Sequence, residues 1–80
     1  YESYAARFAV KEAVFKALGR GWSECGGYAS VEVVSKKRGR PDVELHGNSR
    51  RFAEELGVRR IFITITHDAG ISAAVAILEG

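Results

Sequence analysis

The sequence predicts an α+β domain in which an antiparallel sheet packs against one long and one short helix. Three observations carry this prediction: an apolar segment with helical spacing over residues 7–19, β-rich runs that come in pairs, and turn residues between the members of each pair. The predicted order is helix, hairpin, short helix, hairpin. No repeat or internal linker divides the chain, so we expect a single domain over residues 1–80.

The first helix is predicted from the segment between Arg7 and Gly19. Gly19 is well suited to end it, because glycine adopts the left-handed backbone conformation of a helix C-terminus without a steric penalty. One broad side of the helical wheel carries large apolar residues, Phe8, Val14, Phe15 and Leu18. The opposite side is rich in alanine, so the helix has little polar surface. We therefore expect it to be largely buried, or covered by a ligand or another subunit.

Two hairpins and a short helix follow. Residues 29–34 and 42–46 are predicted to be strands on either side of a basic turn at 36–41. Asn48 or Ser49 is expected to cap a short helix that runs through Leu56 and ends at Gly57. The last hairpin pairs residues 60–66 with 71–78. Its turn, 67–70, is the strongest hairpin signal in the chain.

Glu12 and Lys16 lie four residues apart in the first helix and therefore on one face. Ala5 and Ala9 border them and are too small to cover the charges, which leaves room for a ligand. A carboxylate beside an ammonium group suits a metal ion and a phosphate. The alternative is an ordinary intrahelical ion pair, worth only about 0.2–0.5 kcal/mol.

Composition excludes several other classes. With 46% hydrophobic and 28% charged residues the chain is typical of a globular protein. The apolar runs are too short to span a bilayer, and the single cysteine, Cys25, rules out an internal disulfide and a multi-cysteine zinc site. Cys25 and His46 are expected to be structural, and Trp22 a packing or interface aromatic.

The basic residues cluster, at 36–40 and in arginine pairs at 50–51 and 59–60. These charges suit phosphates or an acidic protein. Nucleic-acid binding is the weaker hypothesis, because the net charge is only +2 and no RNA- or DNA-binding motif accompanies the clusters. We therefore expect neither a nucleic-acid partner nor a membrane, and a cytoplasmic protein.

Residues 8–19 match every specified position of Phe-Ala-x-Lys-Glu-Ala-x-x-Lys-Ala-Leu-Gly, a helix motif of the holo-acyl-carrier-protein synthases. The chain resembles this family of small 4′-phosphopantetheinyl transferases along nearly all of its length. Gly39-Arg40-Pro41 resembles the family's Gly-Lys-Pro turn, and residues 64–67 resemble its Ser-Ile-Ser-His segment. The helix motif is the specific part of the resemblance.

The resemblance implies an enzyme with a 4′-phosphopantetheinyl transferase-like fold. It would transfer 4′-phosphopantetheine from coenzyme A, its substrate, to a serine of apo acyl carrier protein, in a Mg²⁺-dependent reaction of fatty acid biosynthesis that releases adenosine 3′,5′-bisphosphate. Family members commonly assemble as homotrimers with the catalytic cleft between subunits. The resemblance leaves the general base open between a metal-bound water and Glu12 acting through water.

The resemblance also assigns roles to individual residues. Glu12 is the expected Mg²⁺ ligand, and Lys16 is expected to bind the pyrophosphate and stabilise the transition state. Arg7 is a candidate for the nucleotide phosphate, with surface solvation or pairing to Glu2 or Glu12 as the alternative. The remaining candidates are Gly39, Arg40 and Pro41 for the adenine side of the pocket, and Thr66 and His67 for phosphate or pantetheine oxygens, with a local bond between His67 and Asp68 as the alternative. Apart from the resemblance, the backbone amides at Gly19 are suited to approach a phosphate.

One part of the family pattern has no counterpart here. The family begins with a strand that carries a Gly-x-Asp motif, whose aspartate is a metal ligand, followed by a basic helical region that meets the carrier protein. The chain instead opens at Tyr1, directly before the motif helix. We therefore expect a domain that is incomplete at its N-terminus. The competing hypothesis is a noncatalytic fragment that binds coenzyme A or serves in assembly.

Overall fold

The computed structural model describes residues 3–35 and 40–80 and confirms the α+β class. Helix α1 (Tyr4–Leu18) begins after Ser3, whose side-chain oxygen accepts a hydrogen bond from the backbone N–H of Ala6 at 3.1 Å. The helix ends at Gly19, where φ is +73°. The predicted stop at Gly19 is confirmed, because that conformation is open to glycine without strain.

The first hairpin pairs β1 (Val31–Ser35) with β2 (Pro41–Leu45), and Val33 lies opposite Val43. Strand β1 begins two residues later than predicted, because a single 3₁₀ turn, Tyr28–Ser30, precedes it. Residues 36–39 of the predicted basic turn, with the candidate Gly39, lie outside the described residues. Pro41 is the first residue of β2, a strand position that proline tolerates.

Helix α2 (Gly47–Glu55) corrects the predicted cap. The N-cap residue is His46, and its side chain makes no capping hydrogen bond. Asn48 and Ser49 do not cap the helix, because tertiary contacts engage both side chains. The amide of Asn48 donates to the carbonyl oxygen of Glu24 at 3.0 Å, and the buried hydroxyl of Ser49 lies 2.7 Å from that of Ser30.

The second hairpin pairs β3 (Arg60–Asp68) with β4 (Ile71–Glu79). Its two-residue turn has positive φ at both positions, 49° at Ala69 and 79° at Gly70. This combination is typical of the type I′ turns whose twist matches that of the flanking strands. The hairpin predicted around residues 67–70 is therefore confirmed, and each strand extends slightly beyond its predicted end.

Helix α1 packs against β4, β1 and β3, and β2 lies beside β3. Among the described residues the strands form two separate two-stranded antiparallel sheets. The most buried hydrophobic side chains lie in α1, β1, α2 and the loop after α1. They are Ala6, Val10, Val14, Phe15, Leu18, Cys25, Val31, Val33 and Ala53.

Candidate functional site

Glu12 and Lys16 lie on the side of α1 that turns away from the buried face. Glu12 is half-buried and Lys16 is exposed. The two side chains form no ion pair with each other, and neither has a hydrogen-bond or ion-pair partner among residues 3–35 and 40–80. The intrahelical ion pair considered as an alternative is therefore absent. Within the described part of the chain, both charges are available to a ligand.

A cavity of about 510 Å³ lies beside the first two turns of α1. Two cations contribute to its wall, Arg7 and Lys11. The ammonium group of Lys11 donates to the carbonyl oxygen of Tyr28 at 2.9 Å, so this cation is tied to the 3₁₀ turn. Arg7 has no ion-pair partner in the described part of the chain and is therefore the cation available to an anionic ligand. The other lining residues are Tyr4, Phe8, Tyr28, Ala29, Glu32 and Val33.

Tyr28 is the centre of an aromatic cluster on this side of α1. Its ring centroid lies 5.0 Å from that of Phe8 and 5.6 Å from that of Phe15, and the Trp22 ring stacks on it at 5.4 Å with an angle of 14° between the ring planes. Desolvation, together with the negative charge of Glu12, raises the pKa of the Tyr28 hydroxyl.

Sequence reasoning missed Tyr28 and Lys11 as parts of this region. Phe8 and Phe15 lie seven residues apart, about two helical turns, and this spacing was the available signal that one aromatic ring could cover both. Trp22 was expected to be a packing or interface aromatic, and its stacking on Tyr28 confirms the packing role. Cys25 is fully buried, as expected of a structural residue.

The hairpin candidates Thr66 and His67 are exposed near the end of β3. His67 lies opposite Ser72 of β4, and the Ser72 hydroxyl oxygen is 3.0 Å from the Nδ1 atom of His67. The hydrogen-bond partner of His67 is thus Ser72 across the strands, and not Asp68. Thr66 lies opposite Ala73, with its hydroxyl on the exposed face.

A second cavity, of about 650 Å³, lies between the two hairpins. Arg40 and Pro41, which are predicted to border the adenine, line it together with residues at the start of β3. Its lining residues are Arg40, Pro41, Asp42, Ile61, Phe62, Ile63 and Thr64.

The candidate residues fall into separate groups within one chain. The two cavities have no lining residue in common, and neither is lined by Glu12, Lys16, Thr66 or His67. The backbone N–H of Gly19 donates to the carbonyl oxygen of Lys16 at 3.1 Å and is therefore used by the helix end. Arg40 and Pro41 line the same cavity, and Glu12 lies one helical turn from Lys16.

One group of potential metal ligands does lie close together in the described part of the chain, on the exposed face of the first hairpin. It consists of Glu32, Glu44 and His46, whose ligand atoms all lie within 4.8 Å of one another. Glu32 and Glu44 are directly opposite across the strands, and His46 Nε2 lies 2.9 Å from Glu32 Oε1. His46 thus pairs with Glu32 on the exposed face, and its predicted structural role stays a prediction.

None of the helices within residues 3–35 and 40–80 is long and apolar enough to cross a membrane.

Several solved structures are similar to this chain in fold. The holo-[acyl-carrier-protein] synthase of Neisseria meningitidis gives a TM-score of 0.83 at 25% identity, covering 95% of this chain and 61% of that chain. The Helicobacter pylori synthase in complex with coenzyme A gives a TM-score of 0.78 at 27% identity, covering 94% of this chain and 63% of that chain.

The sequence comparisons give the family. A curated holo-[acyl-carrier-protein] synthase from Solibacter usitatus is 47% identical over 79 residues, which cover 99% of this chain and 63% of the relative. The chain therefore spans less than two thirds of the length of this relative. A family model described as the 4′-phosphopantetheinyl transferase superfamily matches residues 1–76. Because this match covers almost the whole chain, and the relative shares nearly half of its residues, the chain belongs to the holo-acyl-carrier-protein synthase family of that superfamily.

Proposed function

We propose that this chain carries part of the active site of an enzyme that transfers 4′-phosphopantetheine from coenzyme A to a serine of apo acyl carrier protein. In this reaction the serine oxygen bonds to the β-phosphorus of coenzyme A and the pyrophosphate P–O bond breaks. The serine proton is lost and adenosine 3′,5′-bisphosphate leaves. The observation that carries the proposal is the Glu12 carboxylate, one turn from Lys16 on the motif helix, since neither charge has a partner among the described residues.

Magnesium is the proposed cation at Glu12, because the side-chain carboxylate of Glu12 offers the oxygen ligands that Mg²⁺ prefers. Mg²⁺ prefers oxygen ligands and keeps several waters, so one protein carboxylate plus phosphate oxygens is a reasonable set. Glu12 is half-buried and no described cation neutralises it. When bound, the ion would supply positive charge that offsets repulsion between the pyrophosphate oxygens. Lys16 places a second positive charge beside the same pyrophosphate.

Coenzyme A is the proposed substrate, and the Helicobacter pylori relative was solved in complex with it. Arg7, at the wall of its cavity and without an ion-pair partner in residues 3–35 and 40–80, is the proposed partner of the nucleotide phosphate. Arg40 and Pro41 border the second cavity and are proposed to hold the adenine, Arg40 by charge or stacking. Thr66 and His67 are proposed to donate hydrogen bonds to phosphate or pantetheine oxygens. The assignments of Gly19 and Gly39, and a cytoplasmic location, stay predictions.

A second copy of the chain is proposed to complete the site, as in the trimer that the family resemblance implies. The helix candidates and the second-cavity candidates line no common cavity within the described part of one chain. The outer face of the second hairpin is apolar and open: Phe62 is 46% exposed, Val75 57% and Ile77 58%. An apolar face of this kind is typical of a subunit contact. Association through it would place residues of two copies around one ligand.

The test of Glu12 is its replacement by glutamine in the full-length protein. Glu12→Gln keeps the size of the side chain and removes the charge, so we expect folding to be retained and transfer to fall by about 100-fold or more. Transfer is measured as incorporation of labelled phosphopantetheine into apo carrier protein, and folding by circular dichroism. Glu55→Gln, at an exposed glutamate of α2, is the matched control and should retain full activity. Undiminished transfer by Glu12→Gln would reject the proposed role.

The second candidate function is noncatalytic binding of coenzyme A. The observation that favours it is that neither cavity in the described part of the chain is lined by Glu12 or Lys16. Calorimetry of the 80-residue chain with coenzyme A, beside a transfer assay on the same sample, separates the two functions. Binding without transfer supports the noncatalytic role, and efficient transfer by this chain alone excludes it.

A further inference from the structure

Ser72 of β4 stands out because its side chain contacts one of the proposed ligand-binding side chains, His67. His67 and Ser72 are directly opposite in the register of the second hairpin, and their side chains are 3.0 Å apart, from Ser72 Oγ to His67 Nδ1. The imidazole thus uses one nitrogen for an internal contact. Nε2 has no hydrogen-bond partner among residues 3–35 and 40–80, so it is free to meet a ligand.

This pair lies close to the turn of the second hairpin. The pair Asp68 and Ile71 separates it from the tight turn at Ala69 and Gly70, where positive φ angles suit the twist of the strands. The register therefore fixes the distance between the two Cα atoms, and a side chain on a rigid strand is placed more accurately than one on a loop. Ser72 is half-buried, while His67 is exposed.

We propose that Ser72 is the positioning residue of His67, holding Nδ1 so that the ring keeps one orientation and Nε2 presents an N–H to a phosphate oxygen of the bound substrate. In a neutral imidazole one nitrogen donates and the other accepts, and the hydrogen bond at one nitrogen decides the role of the other. When the serine hydroxyl donates to Nδ1, the proton of the neutral ring lies on Nε2. A phosphate oxygen accepts hydrogen bonds only, so Nε2–H is the useful form.

This inference rests on the proposed function only for the identity of the ligand; the pairing of Ser72 with His67 is independent of any reaction. The two are therefore tested by different measurements. The variants are Ser72→Ala, which removes the hydroxyl, and Ser72→Thr, which keeps a hydroxyl at the same position. Ser23→Ala, at an exposed serine in the loop after α1 with no side-chain hydrogen bond to another described residue, is the control.

The first measurement is the tautomer of His67, read from long-range ¹H–¹⁵N NMR correlations of the full-length protein without substrate, at a pH where the ring is neutral. We expect the wild type and Ser72→Thr to carry the proton on Nε2, and Ser72→Ala to shift toward a mixture of both forms. Identical His67 nitrogen shifts in the wild type and Ser72→Ala would overturn the proposal, whatever the protein catalyses.

The second measurement is steady-state transfer by the same proteins. Loss of one positioning hydrogen bond corresponds to about a fivefold change in an equilibrium. We therefore expect Ser72→Ala to raise KM for coenzyme A about fivefold and to change kcat less than twofold. Ser72→Thr should restore KM, and Ser23→Ala should not change it. An unchanged KM in Ser72→Ala would refute the positioning role. If the wild type transfers nothing, the proposed function fails, and the NMR result alone decides whether Ser72 positions His67.

Discussion

The two halves of the molecule bury their apolar side chains differently. The half built from α1, the loop after it, β1 and α2 contains every buried hydrophobic residue in the described part of the chain. The second hairpin, β3 and β4, has none: its strands alternate between half-buried and exposed residues. The first half therefore has a core of its own, whereas the hairpin covers that core with one face and leaves the other face open.

Both faces of the second hairpin carry apolar residues. The inner face of the hairpin contributes Ile63, Ile65 and Ala76 to the edge of the core. Its outer face also carries large apolar residues, including Phe62, Val75 and Ile77. A solvent-facing strand surface is usually polar. The hairpin thus has two apolar faces and only one partner within the described part of the chain, which supports the proposed association of subunits.

The largest effect is expected from truncation in the core of the first half. Leu18 is only 5% exposed at the end of α1. Leu18→Ala should lower the free energy of unfolding by about 2–4 kcal/mol, because it removes buried methyl groups and leaves a cavity. Ile71→Ala, on the open hairpin at 70% exposure, should change it by less than about 0.5 kcal/mol in dilute monomer. The measurement is urea unfolding. Equal losses of unfolding free energy in both variants would contradict the difference in burial between the two halves.

An intermediate effect is expected on assembly rather than on folding. Val75→Asp places a charge at the centre of the open face, so it should prevent the proposed association of subunits in the full-length protein, because a buried unpaired charge is costly. Light scattering after gel filtration measures the mass, and circular dichroism checks the fold. Leu56→Asp is the matched control, since Leu56 is also an exposed aliphatic residue, 61% exposed, but lies after α2. An unchanged mass in Val75→Asp would exclude this face as the contact.

The smallest effect is expected at Glu24, in the loop after α1. The backbone N–H of Gly21 donates to its carboxylate at 3.0 Å and Arg20 lies beside it, and both lower the pKa of Glu24. A lowered folded-state pKa stabilises the fold above the unfolded-state pKa, and the contribution is lost as pH falls through the folded-state value. The difference in unfolding free energy between wild type and Glu24→Gln should therefore be present at pH 7 and shrink as the pH falls below the unfolded-state pKa of glutamate, about 4.3. A difference that grows on acidification would contradict this.

Local patterns predicted most of the elements. Gly19 was predicted to stop α1, and the alternation of residues 60–66 predicted β3, because both signals depend on backbone conformation or on one repeating face. The cap of α2 was predicted wrongly at Asn48 or Ser49. Their polar side chains suit a cap, but each bonds instead to a residue at least 19 positions away in the chain, Glu24 and Ser30. No local pattern contains such partners.

The candidate site shows the same division. The helical period alone places Glu12 and Lys16 one turn apart. The side-chain rotamers, which the period does not give, decide that these two residues form no ion pair. The approach of the 3₁₀ turn decides that Lys11 bonds to Tyr28, whereas Arg7 has no ion-pair partner among the described residues. The pairing of His67 with Ser72 depends on the strand register, which a turn of a different length would change.

By itself the amino-acid sequence determined the α+β class, the position of the motif helix and the turn of the second hairpin, since these follow from backbone preferences and from the spacing of apolar residues. Only the tertiary structure decided which side chains are paired, which cations face a cavity and which face of the second hairpin is open. These properties depend on contacts between residues far apart in the chain, and such contacts form only when the elements pack against one another.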